Sequence, residues 1–258
     1  MDVSAMTEYQ FYKYLLVVFL SLAGVAFVAI FFVTVPYGRY NRPGWGRIIQ
    51  ERWGWLFMES PSFFVFLLFF LLGPNNKGLM ALVFCVFWEV HYIQRGLIYP
   101  FLIRGRKRAV PLSIIAMAFL FTSINPYLNS RWLFKFSPGY PVSWLTNSRF
   151  LAGAALFLAG LVINIHSDHI LRSLRAPGET DYKIPWGGLF RYVSCANYFG
   201  EIIEWAGWAL ATWSLPGLGF AVWTMANLVP RARSHHIWYR RTFPDYPKNR
   251  KALIPFLI

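Results

Sequence analysis

Charge is scarce in this chain of 258 residues: Asp, Glu, Lys and Arg together make up 14%, and acidic residues number only 11. A water-soluble domain carries roughly 25% charged residues, so an ordinary soluble fold is strongly disfavoured. A hydrophobic share of 57% excludes a disordered chain as well. Two cysteines, Cys85 and Cys195, both in or beside apolar runs and outside any CxxC pair, exclude a disulfide framework and argue against cysteine chemistry. No GxGxxG follows a strand and no P-loop signature occurs, so a phosphate-bearing ligand has to be held by side chains. No His-x-x-His or Cys-rich spacing is present, and no metal is expected. The lack of internal repeats removes sequence support for an inverted-repeat transporter.

What the chain does contain is long apolar runs, rich in aromatics: 25 Phe, 14 Tyr and 12 Trp. Runs able to cross about 30 Å of hydrocarbon, some slightly short or interrupted, lie near Tyr14 to Val35, Trp53 to Leu72, Gly78 to Ile103, Val110 to Leu128, Phe150 to Leu171, Tyr198 to Trp213 and Gly217 to Val229. They predict an all-α integral membrane protein with seven transmembrane helices in a single membrane domain, 1–258. The first run is expected to be a retained helix and not a cleaved signal, because Asp2 and Glu8 stand where a basic n-region belongs. Arg39, Arg42, Arg47 and Arg52, then Arg104, Arg106, Lys107 and Arg108, then Arg172, Arg175, Lys183 and Arg191, and the tail from Arg231 to Lys251 all fall on one side of these spans. By the positive-inside rule the N-terminus is outside and the C-terminus cytoplasmic, an arrangement that needs an odd span count. The net charge of +14 is therefore topological, and no nucleic-acid partner is expected.

Ionisable groups at bilayer depth are costly and mark functional sites by default. Here they are Glu59, Glu89, His91, Tyr92, Arg95, His166, Asp168, Glu201 and Glu204, joined by the polar amides Asn164 and Asn197. Counting about 1.5 Å per residue from the span ends places them in the cytoplasmic half. Asn164 with Asp168, Asn197 with Glu201, and Glu201 with Glu204 share helix faces at i,i+4 or i,i+3 spacing. A set of carboxylates and amides converging from several helices suits a ligand site, whereas interhelical glue needs few carboxylates. Glu89 has the alternative of pairing with Arg95 inside the bundle, and His91 and His166 read as structural.

The motifs Phe57-Met58-Glu59-Ser60-Pro61-Ser62-Phe63, His91-Tyr92, Asn164-Ile165-His166-Ser167-Asp168, Arg175-Ala176-Pro177-Gly178, Tyr182-Lys183-Ile184-Pro185, Gly187-Gly188-Leu189-Phe190, Glu201-Ile202-Ile203-Glu204-Trp205 and the tail Asp245-Tyr246-Pro247-Lys248 follow one another in order. Over nearly its whole length the chain resembles the steroid 5α-reductases, particularly the animal type 2 enzyme, and reads as a bacterial-type homologue or a close relative. The resemblance implies NADPH-dependent reduction of the Δ4 double bond of a 3-oxo-steroid. It implies Glu59 and Tyr92 as the catalytic pair, and Asn164, Asp168, Arg175, Tyr182, Lys183, Asn197, Glu201, Arg231, His235 and Tyr239 as dinucleotide contacts, with Arg95 and Arg106 as further candidates. Spans one to four, 1–128, are then mainly substrate pocket, and 150–258 mainly the NADPH site. The chain departs from the family pattern where Lys183 replaces Arg and where Lys107-Arg108-Ala109 follows Arg106.

Hydride delivered to the β-carbon of an enone drives negative charge onto the carbonyl oxygen, which calls for donors in a dry environment. Tyr92 can donate there and Glu59 can orient it. Rival readings are a reductase of another enone or enoyl lipid such as a polyprenol or enoyl thioester, a membrane methyltransferase using S-adenosylmethionine, and a transporter. Membrane lipids and a steroid-like substrate are the expected partners, with no obligate protein partner, in a bacterial inner membrane or the endoplasmic reticulum.

Overall fold

The computed structural model describes residues 6–103, 109–176, 179 and 181–257. Helix α1 (Glu8–Phe32) opens on a capping box in which Thr7 and Gln10 satisfy each other's backbone N–H groups. Helix α2 (Glu51–Leu72) follows a short strand β1 (Ile48–Gln50), which pairs antiparallel with β2 (Ala109–Pro111) ahead of α5 (Leu112–Arg131). Because α2 and α5 both leave this two-stranded clasp, they run side by side. Thr122 Oγ1 donates to the Met58 carbonyl and Ser62 Oγ to that of Thr122. Between them, α3 (Leu79–Tyr92) continues through a π-turn, Ile93–Ile98, into α4 (Tyr99–Leu102). Such a turn adds a residue to the ladder and re-aims side chains, and it falls here at Arg95 and Gly96.

The remaining helices are α6 (Ser148–Ser173), α7 (Ala196–Thr212) and α8 (Leu215–Thr242). Helices α6 and α7 meet glycine to glycine. A Cβ on Gly160 would strike the backbone of Glu204 and Gly200, and one on Gly207 the backbone of Phe157 and Gly153. Close backbone approach of this kind is how helices associate where the surrounding lipid is as apolar as the side chains. The core is aromatic: Phe66 stacks on Trp88 at 4.4 Å, and Trp205, Trp208 and Phe220 close around it. At the end of the bundle far from the β clasp, Glu8 ties α1 to the end of α5, accepting from Arg131 Nε at 2.7 Å and Lys135 Nζ at 2.6 Å.

The expectation of seven spans needs correction. Among the described residues, five helical segments are long and apolar enough to cross a membrane: Glu8–Phe32, Leu79–Leu102, Glu51–Leu72, Leu112–Phe136 and Ser148–Ser173. The two runs read as spans six and seven do form helices, giving seven rods when α3 and α4 are taken together. Helix α7, however, has only 17 residues and carries Glu201 and Glu204. Helix α8 is apolar only to Val229, then continues through Pro230 into Arg231, Arg233, His235 and His236. Five is odd as seven is, so the correction changes the number of spans and leaves their parity unchanged. The chain is a multi-pass integral membrane protein, and exposed Val17, Leu68, Leu82, Leu120 and Leu158 form its outward apolar face.

Candidate active site

Two groups of polar residues meet near the end of the bundle that carries the β clasp. The inner group is organised by Arg95, which the π-turn swings into the bundle. Its Nη1 donates to Asp168 Oδ2 at 2.9 Å, its Nη2 stands 3.8 Å from Glu201 Oε2, and its guanidinium lies over the rings of Trp55 and Tyr99. Asp168, 2% exposed, also accepts from Asn197 Nδ2 at 3.1 Å, and Asn164 Nδ2 donates to the Asn197 carbonyl at 3.0 Å. The i,i+4 spacings therefore bring Asn164, Asp168, Asn197 and Glu201 together across α6 and α7. These contacts do not use all of the group's acceptors: Asn164 Oδ1 and Glu201 Oε2 are buried and accept no hydrogen bond, although Glu201 Oε2 keeps the looser ion pair with Arg95.

Tyr92 closes α3 at 3% exposure, packed against His91, Trp88 and Trp205. Its hydroxyl is within reach of Ser62 and couples electrostatically to Glu59. Glu59 lies on α2 beneath Gly96, where a Cβ would approach Glu59 Cβ to 3.3 Å, and it faces the charges of Arg95 and Glu201. Among the described residues no hydrogen bond joins Glu59 to Tyr92, so the pair is adjacent without being locked. His91 and Glu204, expected as a structural residue and a member of the acidic set, form a buried pair at 2.7 Å. Glu89 does not pair with Arg95: both of its carboxylate oxygens are buried without partners, while Arg95 is turned to Asp168.

The outer group gathers on the second half of α8. Arg231 donates to the Tyr37 hydroxyl and to Asn227 Oδ1, and stands over the Tyr198 ring. His235 bridges the Tyr40 and Tyr198 hydroxyls, each at 3.2 Å. Burial, with Arg39 and Arg231 alongside, pushes its imidazole well below the ordinary value. It is therefore neutral, one ring nitrogen donating and the other accepting. Burial likewise raises the Tyr40 phenol to about 12. Tyr239 accepts from Arg39 at 3.3 Å, and Tyr182 packs edge-on against Trp238. Arg175 Nε donates to the Asp181 carbonyl and its guanidinium covers the Tyr182 ring. Glu201 links the two groups, since Arg95 and Arg231 both feel its charge.

Lys183 is brought near but turned outward, exposed and paired with Glu179 at 2.7 Å. That pairing, with Arg175 nearby, holds the Glu179 carboxyl below its usual range. Arg106 lies outside the described residues. Sequence reasoning missed Arg39, Tyr37, Tyr40 and Tyr198; the run Tyr37-Gly38-Arg39-Tyr40 was a signal that reading the loop for topology alone passed over. The loop before α7 reaches the site through Gly187 and Gly188, both at positive φ, with Gly188 seated on His166 where a Cβ would clash.

A sequence profile of the 3-oxo-5-alpha-steroid 4-dehydrogenase family matches residues 108–258. Similarity extends through the rest of the chain as well. It is 51% identical over 240 residues to 3-oxo-5-alpha-steroid 4-dehydrogenase 1 of Mus musculus, covering 92% of this chain and 93% of that protein. The chain belongs to this family. It is also similar to steroid 5-alpha-reductase DET2 of Gossypium hirsutum, 40% identical over 255 residues covering 97% of this chain and 99% of that protein, and to the Homo sapiens type 1 protein, 48% identical over 223 residues covering 86% and 85%. These relatives are type 1 and plant proteins, so they carry family membership and not the narrower likeness to the animal type 2 enzyme or to a bacterial homologue. The 97% coverage against the plant protein carries the similarity beyond the profile match, which begins at residue 108.

Proposed function

We propose that this protein reduces the Δ4 double bond of 3-oxo-Δ4-steroids to the 5α-reduced ketones with NADPH, and that Tyr92 and Glu59 carry the chemistry. The activity and the cofactor follow from family membership; the observation that supports the residue roles is the Tyr92 hydroxyl, buried beside Glu59 in an aromatic enclosure. NADPH, when bound, supplies the hydride that adds to C5. Tyr92 donates its hydroxyl proton in a hydrogen bond to the C3 carbonyl oxygen, where negative charge accumulates, and a low-dielectric setting makes that donor worth more than it is in water. Glu59 keeps the Tyr92 hydroxyl turned toward the substrate, and water protonates C4.

The residues fit the cofactor. Buried polar atoms that make no hydrogen bond are available to a dinucleotide: Asn164 Oδ1 and Glu201 Oε2 as acceptors, and Arg39 Nη1 and Arg172 Nη1 as donors for phosphate. Asn164, Asp168, Asn197 and Glu201 hold the nicotinamide end, with Arg95 orienting Asp168. Arg175, Tyr182, Arg231, His235 and Tyr239 serve the phosphates and adenosine. Residues 1–128 then supply mainly the steroid pocket and 150–258 mainly the cofactor site.

The deciding assay is NADPH consumption by detergent-purified protein against a panel of Δ4-3-oxo-steroids, with product stereochemistry determined. Turnover yielding 5α products supports the reading. Turnover confined to enoyl thioesters or polyprenols would move the substrate class, and a protein that binds S-adenosylmethionine in place of NADPH would end it.

A further inference from the structure

The short 3-10 turn Gly38–Tyr40, between α1 and α2, carries Arg39 to Tyr239, 200 residues away in sequence. Its guanidinium is enclosed by three rings, 4.5 Å from the Tyr182 centroid, 4.2 Å from Trp238 and 4.7 Å from Tyr239. One donor reaches the Tyr239 hydroxyl, and the other terminal nitrogen, Nη1, is buried without a partner. Among the described residues none of the ion pairs involves Arg39, and Glu179, the acid of the neighbouring loop, is paired with Lys183. Arg175 covers the same Tyr182 ring at 4.8 Å. Two guanidinium groups thus share one aromatic plate with no carboxylate paired to Arg39. Rings stabilise a cation only partly, and a buried donor on a charged group is costly to leave unmade. The arrangement is complete only with an anion, and a planar fork of N–H donors matches phosphate oxygens.

Position decides which phosphate. Arg231, His235 and Tyr239 succeed one another at i, i+4 and i+8 on α8, a ladder about 12 Å long. Its Arg231 end couples to Glu201 and thence to Arg95, beside Tyr92, while its Tyr239 end holds Arg39. With the hydride-donating ring at Tyr92, Arg39 stands at the far end of an extended dinucleotide, beyond the cations that would meet the pyrophosphate. We infer that Arg39, held in the cage of Tyr182, Trp238 and Tyr239, is the specificity-determining residue that reads the 2′-phosphate of NADPH and sets the preference over NADH; this rests on the cofactor assignment above.

NADPH and NADH differ only in that phosphate, so equilibrium binding of each to purified protein isolates it. Arg39→Gln is expected to weaken NADPH 10- to 100-fold while NADH changes less than twofold, and to abolish competition by 2′,5′-ADP. Arg39→Lys, which keeps the charge but not the planar stack, is expected to fall between and carries the test if the glutamine variant does not fold. Equal weakening of NADPH and NADH, or unchanged NADPH affinity in folded Arg39→Gln, overturns the proposal alone. A wild-type protein that binds neither dinucleotide overturns the cofactor assignment with it.

Discussion

His91 Nδ1 and Glu204 Oε1 stand 2.7 Å apart at 3% and 0% exposure, tying α3 to α7 one residue before Tyr92. The His91 ring packs edge-on against both Tyr92 and Trp205, so the pair braces the tyrosine as well as the two helices. Breaking a buried pair from one side leaves the other partner uncompensated, at about 3 to 5 kcal/mol. His91→Ala is therefore expected to lower the thermal midpoint strongly, and Glu204→Gln, which keeps a neutral hydrogen bond, much less. Similar midpoints for the two variants would show that packing, not the pair, holds α3 to α7.

Asp168 accepts from Arg95 and Asn197 together, so a scaffold role stands beside the cofactor role proposed for it. Asp168→Ala should cost about 3 to 5 kcal/mol of stability by stranding Arg95. Asn197→Ala removes one amide hydrogen bond to the Asp168 carboxylate and should cost about 1 to 3 kcal/mol. In both variants NADPH affinity is expected to fall; folded variants with normal affinity and lowered midpoints would assign these residues to helix packing alone. Midpoint and dissociation constant have to be measured on the same preparation.

Much of the inner site was legible because its residues repeat at helical spacing and ionisable groups are conspicuous among apolar neighbours. Asn164, Asp168, Asn197 and Glu201 could be put on common faces from the sequence, and the structure joins them. The number of crossings was less legible, because an apolar run signals burial as readily as lipid exposure. Helix α7 is wrapped by α6 and α8 and needs its small, apolar residues for contact with protein. Arg95 could be foreseen as unusual, yet its partner could not, since the π-turn that rotates it toward Asp168 and away from Glu89 has no composition signature. Arg39 escaped because a basic residue just after a span is ordinarily explained by topology, and only the fold brings Trp238 and Tyr239 to it.

The neutral state of His235 has a pH signature. Its folded value is depressed below the unfolded value of about 6.5, so below that pH the unfolded chain binds more protons and stability falls as pH falls. Above about 6.5 both states are neutral and this contribution is flat. Unfolding midpoints of wild type and His235→Gln, followed from pH 8 to 5, are expected to converge on the acid side as the wild type loses its advantage. Parallel profiles would mean that His235 is not the titrating group.

Gly160 lets α6 and α7 approach until its Cα faces the Glu204 backbone. An added methyl has rigid backbone to meet and no flexible side chain that could yield. Gly160→Ala is expected to cost about 1 to 3 kcal/mol and, by spreading the helices, to weaken NADPH binding at Asn164 and Glu201 as well. Gly24, whose Cβ would meet nothing within 4 Å, provides the control: Gly24→Ala should leave both quantities nearly unchanged.

Tyr92→Phe keeps the ring packed against Trp88, His91 and Trp205 and removes only the hydroxyl. If that hydroxyl stabilises charge developing on the steroid carbonyl oxygen, single-turnover reduction should slow by about 100-fold or more while NADPH affinity is retained. In the proposed mechanism Glu59, beside Gly96, orients this donor, so Glu59→Gln, which retains hydrogen-bonding capacity, should be milder than Glu59→Ala. The effects of Tyr92→Phe and Glu59→Ala should also fail to add, because once the hydroxyl is gone Glu59 has nothing left to orient. A double variant as slow as the product of the two single effects would give Glu59 a separate role, and unchanged hydride transfer in well-folded Tyr92→Phe would remove the tyrosine from the chemistry.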